Sequence, residues 1–395
     1  MADKHSFFQE SPDFSLVLGG PLYQLYRRAH LAGPSLDHLR RRIVVIASLA
    51  WAPLLLLSAI GGHLTGAGAS FLHDIETHIR FLIAVPVLIA AELIVHQRIR
   101  PVVKQFIDRG LIVPDEVPMF NAAIDSAMRR RNSVAIEVGL LVLVYTVGLW
   151  IWREQIALGS TTWYAIREDT GMRFTLAGYW YAFVSIPIFQ FILIRWYFRL
   201  LIWFGFLWRV SRLNLYLTPT HPDRAGGLGF LGNSAYAYAP VLFAQGAVLA
   251  GLIASRIFYG GQSLMAFRVE IVGLVIVFVL FILGPLAMFT PHLAQAKRRG
   301  LREYGLLASR YVQEFDAKWV RGGAPSGEAL IGSGDIQSLA DLGNSYAMVR
   351  EMRSVPFGMQ AVTHLVIVTV APILPLTLTV VPLDVLIDRF IKVML

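Results

Sequence analysis

The stretch FILIRWYFRLLIWFGFLWRVSRL, residues 191–213, decides the fold. It is apolar over a length that only a membrane or a deep protein interior can cover, yet it carries Arg195, Arg199, Arg209 and Arg212. At about 100° per residue, Arg199 lies about 40° to one side of Arg195 and Arg209 about 40° to the other, with Arg212 a further 60° or so away. Three arginines therefore share one narrow helical face about 21 Å long. The remaining circumference is Trp196, Phe198, Trp203, Phe204 and Trp208. A helix running from Ala177 to Arg209 would exceed about 45 Å, well beyond a hydrocarbon core of about 30 Å. It must tilt strongly, or leave the membrane under cover of other helices or a second subunit.

The whole chain fits that reading. Of 395 residues, 56% are hydrophobic and only 15% charged. Hydrophobic runs near 43–62, 79–97, 134–152, 177–198, 239–258, 269–290 and 361–380 predict an all-α integral membrane protein of about seven transmembrane helices, within a range of six to eight. The first long apolar run begins only at Ile43, after an acidic and aromatic opening, which is not the pattern of a signal peptide. Of the 35 Lys and Arg, 27 fall in segments 1–42, 98–131, 195–224 and 297–353. The positive-inside rule puts those segments and the N-terminus in the cytoplasm. The formal net charge of +9 marks orientation rather than nucleic-acid binding, because the basic residues flank the apolar runs. With no cysteine, disulfides and cysteine-ligated metals are excluded.

The expected organisation is a cytoplasmic segment 1–42, then a six-span bundle over 43–290 with cytoplasmic helices in 98–133 and a loop at 210–238. A cytoplasmic helical hairpin over 291–357 follows, with the glycine-rich linker RGGAPSGEALIGSGD, and 358–395 holds the seventh span and an interfacial tail, VPLDVLIDRFIKVML. In each of three hairpins the descending span carries a proline, Pro86, Pro187 or Pro285, where kinks are expected. The seventh span, with VAPILPLTLTVVP, is expected to be irregular, as backbone lining a cavity can be.

Glu92, in AAELIVHQR, and Glu137, in NSVAIEVGLL, sit at a depth similar to Arg195. Burying any of these charges alone is costly, so pairing among them is expected, as a brace or as a gate. Arg195, Arg199, Arg209, Glu92 and Glu137 are thus the candidate polar pathway or anion site. TPTHPDRAGGLGFLGN, residues 218–233, contains G-x-G-x-x-G, but no strand precedes it and a membrane span follows, so a dinucleotide site is rejected. Its His221, Asp223, Arg224, Gly226, Gly227 and Gly229 form a second candidate, a loop offering backbone N–H groups to an anion. The alternative is a tight turn with Asp223 capping it locally. His73, Asp74, Glu76 and His78, in HDIETHIR, have helical spacing for a divalent ion, but they equally suit a helix start, and no metal is expected. Gln190, Gln245, Glu270 and His364 read as helix-to-helix hydrogen-bonding groups. No P-loop, nucleophile–base pair or paired-carboxylate motif appears, which leans away from an enzyme.

The motifs HPDRAGGLGFLG, APILPLTLTVVPLDVLI and FLHDIETHIRFLIAVPVLIAAE resemble a family of bacterial multi-pass inner-membrane proteins. The resemblance implies a bacterial inner-membrane location and assigns no activity or site residue. Taken together, the sequence predicts a channel or transporter for a small ion or anionic solute. Its rivals are a non-transporting scaffold or sensor docking a cytoplasmic partner, and a lipid-handling protein whose arginines grip headgroup phosphates. The expected partners are the lipid bilayer, further copies of the chain and a cytoplasmic protein, with no cofactor and no nucleic acid.

Overall fold

Seven helices of the computed structural model are long and apolar enough to cross a membrane. The structure describes residues 14–31, 33, 38–66, 70–157, 162–168 and 171–379. The interfacial tail expected after Pro382 lies outside them. A short helix α1 (Pro21–Arg28) precedes the spans α2 (Leu39–Ile60) and α3 (Ile75–Asp108). Then come α4 (Val117–Arg131), the span α5 (Val134–Glu154), a hairpin of β1 (Ala165–Glu168) and β2 (Gly171–Phe174), and the span α6 (Leu176–Val210). The chain continues through α7 (Gly232–Ala237) and the spans α8 (Ala239–Phe258) and α9 (Leu264–Val320), then α10 (Gly334–Arg350) and the last span α11 (Met359–Thr379).

Half of the apolar window of α3 and of α6 is buried, and slightly more of α8, against 6% for α5. The bundle is therefore built on α3, α6 and α8, while α5 is peripheral. The buried residues of α2 recur at Arg42, Ile46, Ala50, Leu54 and Ser58, a four-residue rhythm that turns one face of the helix inward. Small residues set the closest approaches. A Cβ on Gly246 of α8 would stand 2.0 Å from the Thr369 carbonyl oxygen of α11. On Gly148 of α5 it would meet Gln190 Oε1 of α6 at 2.3 Å.

The prolines are accommodated by local widening and by borrowed donors. Proline has no N–H for the carbonyl four residues back. In α3 and α6 a wide π turn, Arg80–Ala84 and Tyr181–Ser185, directly precedes the turns holding Pro86 and Pro187. In α9 the backbone around Pro285 tightens to a 3-10 segment, Gly284–Phe289. The carbonyl of Phe183, which Pro187 cannot serve, accepts from the Tyr145 hydroxyl of α5 at 3.0 Å. That of Leu49, four before Pro53 in α2, accepts from Trp180 Nε1 of α6 at 3.2 Å. In an apolar medium such neighbours replace the missing backbone donor.

The length of α6 is explained by what covers its end. Phe14 lies 5.0 Å from Phe206 and 6.0 Å from Trp203 between ring centroids, and Phe120 of α4 lies 5.9 Å from Phe206. The N-terminal segment and α4 thus cover one face of the last turns of α6, at Trp203 and Phe206, with residues of the same chain, while Leu201 and Trp208 stay exposed. The basic end of the molecule also holds the continuous lower half of α9 and the returning α10. These are tied by Tyr311 Oη to the Asp335 carbonyl at 3.0 Å and by Trp319 Nε1 to Asp335 Oδ2 at 2.8 Å. At the opposite end the two-stranded hairpin pairs Ala165 with Phe174 and Glu168 with Gly171. Its four-residue strands are shorter than any window of the hydropathy pattern, and the sequence reading contains no strand.

Candidate functional site

Five charged side chains from four spans meet inside the bundle near its basic end. Arg199 Nη2 donates to Glu92 Oε1 at 2.7 Å, and Arg42 Nη2 stands 2.8 Å from Glu92 Oε2. Arg195 Nε lies 3.1 Å from Glu137 Oε1, and its Nη1 lies 3.9 Å from Glu92 Oε1. Arg195 and Arg199, one turn apart on α6, face the same way because i and i+4 positions do. Their side chains are 10% and 5% exposed, that of Glu92 10% and that of Arg42 1%. Among the described residues three guanidinium groups are thus set against two carboxylates, in a nearly dry place. Aromatic faces complete the surroundings, with the Arg199 guanidinium 4.8 Å from the Trp196 centroid and that of Arg42 5.4 Å from Tyr26. At Tyr26, outside the spans, burial and then the Glu92 charge push the phenol up, against the pull of Arg195, Arg42 and Arg199.

The other oxygen of Glu137 is used differently. Oε2 accepts from the Leu22 amide at 2.8 Å. Leu22 is in the first turn of α1, where amides have no partner within the helix and a carboxylate is favoured. Beside this contact a small cleft of about 20 Å³, partly open to solvent, is lined by Leu16, Arg131, Ser133, Glu137, Arg195 and Arg199 among others. Arg131 also donates to the Ser15 carbonyl, and its Nε donates to Asn132 Oδ1 at 3.1 Å. Of the arginine stripe, Arg209 stands apart. It is half-buried and makes no ion pair among the described residues.

Sequence reasoning took Arg42 only as an orientation marker, the last of Arg40-Arg41-Arg42. The usable signal was its phase, because Arg42 lies four residues before Ile46 and eight before Ala50 on the buried face of α2. Arg40 and Arg41 are exposed. The Leu22 amide carried no signal, since a backbone donor has no sequence signature.

The 218–233 loop closes on itself. Asp223 Oδ1 accepts from the amides of Ala225 at 2.8 Å and Gly227 at 3.1 Å, and Oδ2 accepts from Gly229 at 2.8 Å. Arg224, Gly226 and Gly227 hold positive φ angles of 54°, 62° and 99°, the curvature that brings these amides inward. The loop amides offered to an external anion in the sequence reading are occupied by the loop's own carboxylate. Burial works against the Asp223 charge, but the three amides and His221, with Nδ1 at 2.9 Å, outweigh it and hold the carboxyl below its ordinary range. Arg353 fastens the loop to the chain after α10, its amide donating to the Arg224 carbonyl at 2.7 Å and its Nη2 to the Asp223 carbonyl at 2.8 Å. Arg224 itself reaches Glu351 at 3.2 Å.

At the opposite end, His73, Asp74, Glu76 and His78 go to separate partners. Asp74 caps α3 through the Thr77 amide at 3.0 Å and also accepts from Trp163 Nε1 at 2.8 Å. Glu76 pairs with Arg80, His73 Nδ1 meets Ser70 Oγ at 2.6 Å, and His78 Nδ1 accepts from Trp51 Nε1 at 2.9 Å. Among the described residues no three His, Asp or Glu side chains converge as a metal site. Gln190 donates to the Gly148 carbonyl at 3.2 Å and Gln245 to Tyr197 Oη at 2.8 Å, while Glu270 is exposed and His364 stacks edge-on to Tyr236.

The seven apolar helices define a multi-pass α-helical membrane protein. The chain matches no protein-family model, no curated protein and no solved structure.

Proposed function

We propose that the protein is a channel or carrier for a small ion or anionic solute, acting in a bacterial inner membrane with its N-terminus in the cytoplasm. One observation carries this reading: among the described residues, the three positive charges of Arg42, Arg195 and Arg199 outnumber the negative charges of Glu92 and Glu137, beside a partly open cleft. A brace needs only balanced charges, whereas an uncompensated guanidinium in a low-dielectric place attracts an anion. The orientation rests on the concentration of Lys and Arg at one end of the bundle.

The test is flux through proteoliposomes carrying the purified protein, with anions and cations replaced in turn. Anion-selective flux that falls about tenfold or more in Arg199→Gln is expected, a loss of at least about 1.4 kcal/mol of stabilisation along the path. Unchanged flux in a folded Arg199→Gln protein would remove that residue from the path. Absence of flux for every ion tested would overturn the reading.

A second reading, a scaffold or sensor docking a soluble partner, is supported by the α9–α10 hairpin, where Leu306, Leu307, Val312 and Ile331 are exposed. A stoichiometric partner purified from native membranes, lost when these four residues are made polar, would favour it over transport.

A further inference from the structure

Glu137 is placed unlike the other members of the centre. Glu92 is held between Arg42 and Arg199 on α3, one of the most embedded spans. Glu137 rides on α5, the least embedded, and no residue from Val134 to Leu143 is buried. The polar ties between α5 and α6 fall toward the far end, at the Tyr145 hydroxyl on the Phe183 carbonyl and at Gln190 on the Gly148 carbonyl. Between them and Glu137 lie about 12–16 Å of helix. At the basic end α5 follows directly on α4, whose Arg131 donates to the Ser15 carbonyl, and the polar ties that α5 itself makes there among the described residues are those of the carboxylate, to Arg195 and to the Leu22 amide of the small helix α1. The cleft opens on this carboxylate, and Arg131, Arg195 and Arg199 line it on the other sides.

We propose that Glu137 is a tethered, displaceable occupant of an anion seat, and that the seat takes a small monocarboxylate from solution when Glu137 swings away. The seat already accommodates a carboxylate, with Arg195 Nε on one oxygen. Guanidinium groups suit that ligand geometrically as well as electrostatically. Rotation of the Glu137 side chain, on a stretch of α5 with no buried residue, withdraws the carboxylate without unpacking α3 or α6. The ligand's own charge then replaces that of Glu137, so the balance of the centre is kept. For its use in transport the proposal rests on the reading above, but the seat itself is tested by binding alone.

The experiment measures binding of radiolabelled formate to the purified full-length protein at constant ionic strength, in wild type, Glu137→Ala, and Glu137→Ala combined with Arg195→Gln. A resident carboxylate lowers the apparent affinity by the fraction of time it occupies the seat. Saturable binding to wild type, about tenfold or more tighter in Glu137→Ala and lost with Arg195→Gln, is expected. Three results would each overturn the proposal: equal affinity in wild type and Glu137→Ala, binding in Glu137→Ala with none in wild type (a vacated brace), or binding indifferent to Arg195. If Glu137→Ala does not fold, Glu137→Gln carries the same comparison, removing the charge and keeping the shape. Formate binding in a protein that passes no ion keeps the seat and removes the transport reading. Flux without formate binding does the reverse.

Discussion

The Glu92 centre and the Asp223 loop each keep a carboxylate charged away from bulk water, and they do it by opposite means. Asp223 is served by three amides within six residues of itself, so the solution is local and is complete once the loop closes. Glu92 is served by Arg42, fifty positions before it, and Arg199, more than a hundred after it, so its solution exists only when three spans have assembled. The loop contributes order to one turn. The centre couples the registration of α2, α3 and α6, and among the described residues it sets three guanidinium groups against two carboxylates.

Breaking the centre is expected to have the largest effect. Glu92→Gln leaves Arg42 and Arg199 buried with no anion between them. Loss of a partner in such a site costs about 3–5 kcal/mol. A large drop in the thermal midpoint of the detergent-purified protein checks this, and a midpoint within a degree or two of wild type would mean that water or lipid already serves these arginines. Asp223→Ala is expected to cost less, about 1–3 kcal/mol, by stranding three loop amides. Faster amide hydrogen exchange confined to residues 218–232 and 351–353 would separate this local loss from a global one.

Acid provides a milder version of the same contrast. The Asp223 carboxyl is held below its ordinary value, so in the folded protein it loses its proton at lower pH than in the unfolded chain. Its stabilisation is present above the unfolded value of about 3.9 and is lost as pH falls through the folded one. The difference in exchange protection between wild type and Asp223→Ala should therefore persist at about pH 6 and shrink below about pH 4. A difference that grows on acidification would show that the carboxylate is not the stabilising form. The smallest effect is expected at Arg209, whose substitution by Gln should change stability by no more than about 0.5 kcal/mol. It should leave flux unchanged as well, dividing the arginine stripe between α6 residues inside the centre and one beyond it.

Much of this was legible one helix at a time. The positions of Glu92, Glu137 and Arg195 within their apolar runs placed them at one depth, because rise per residue is constant. The common face of Arg195 and Arg199 followed from the same geometry, which also put Arg209 on that face, where it makes no ion pair among the described residues. Angle within a helix says which way a residue points relative to its neighbours, not what stands opposite. Arg42 was hidden because a triple arginine at a span's edge satisfies the charge-bias rule without further explanation. In the loop, Asp223 and the glycines were visible, but whether their amides turn toward that carboxylate or outward depends on three positive φ angles. The strand pair at the far end was missed because four residues are too few for alternation to stand out from aromatic-rich sequence.

By itself the sequence determined the class of protein, the seven apolar helices and the presence of charges that need company. Each of these follows from the cost of taking a group or a peptide bond out of water, which belongs to the residue and its immediate neighbours. Only the tertiary structure decided that Arg42 joins Arg199 on Glu92, that Glu137 caps α1 while it meets Arg195, and that one face of the end of α6 is covered by Phe14 and Phe120. Those pairings depend on how far each helix is rotated about its axis and slid along it. That rotation is set by the packing of the whole bundle, where small residues such as Gly246 and Gly148 allow the closest approaches.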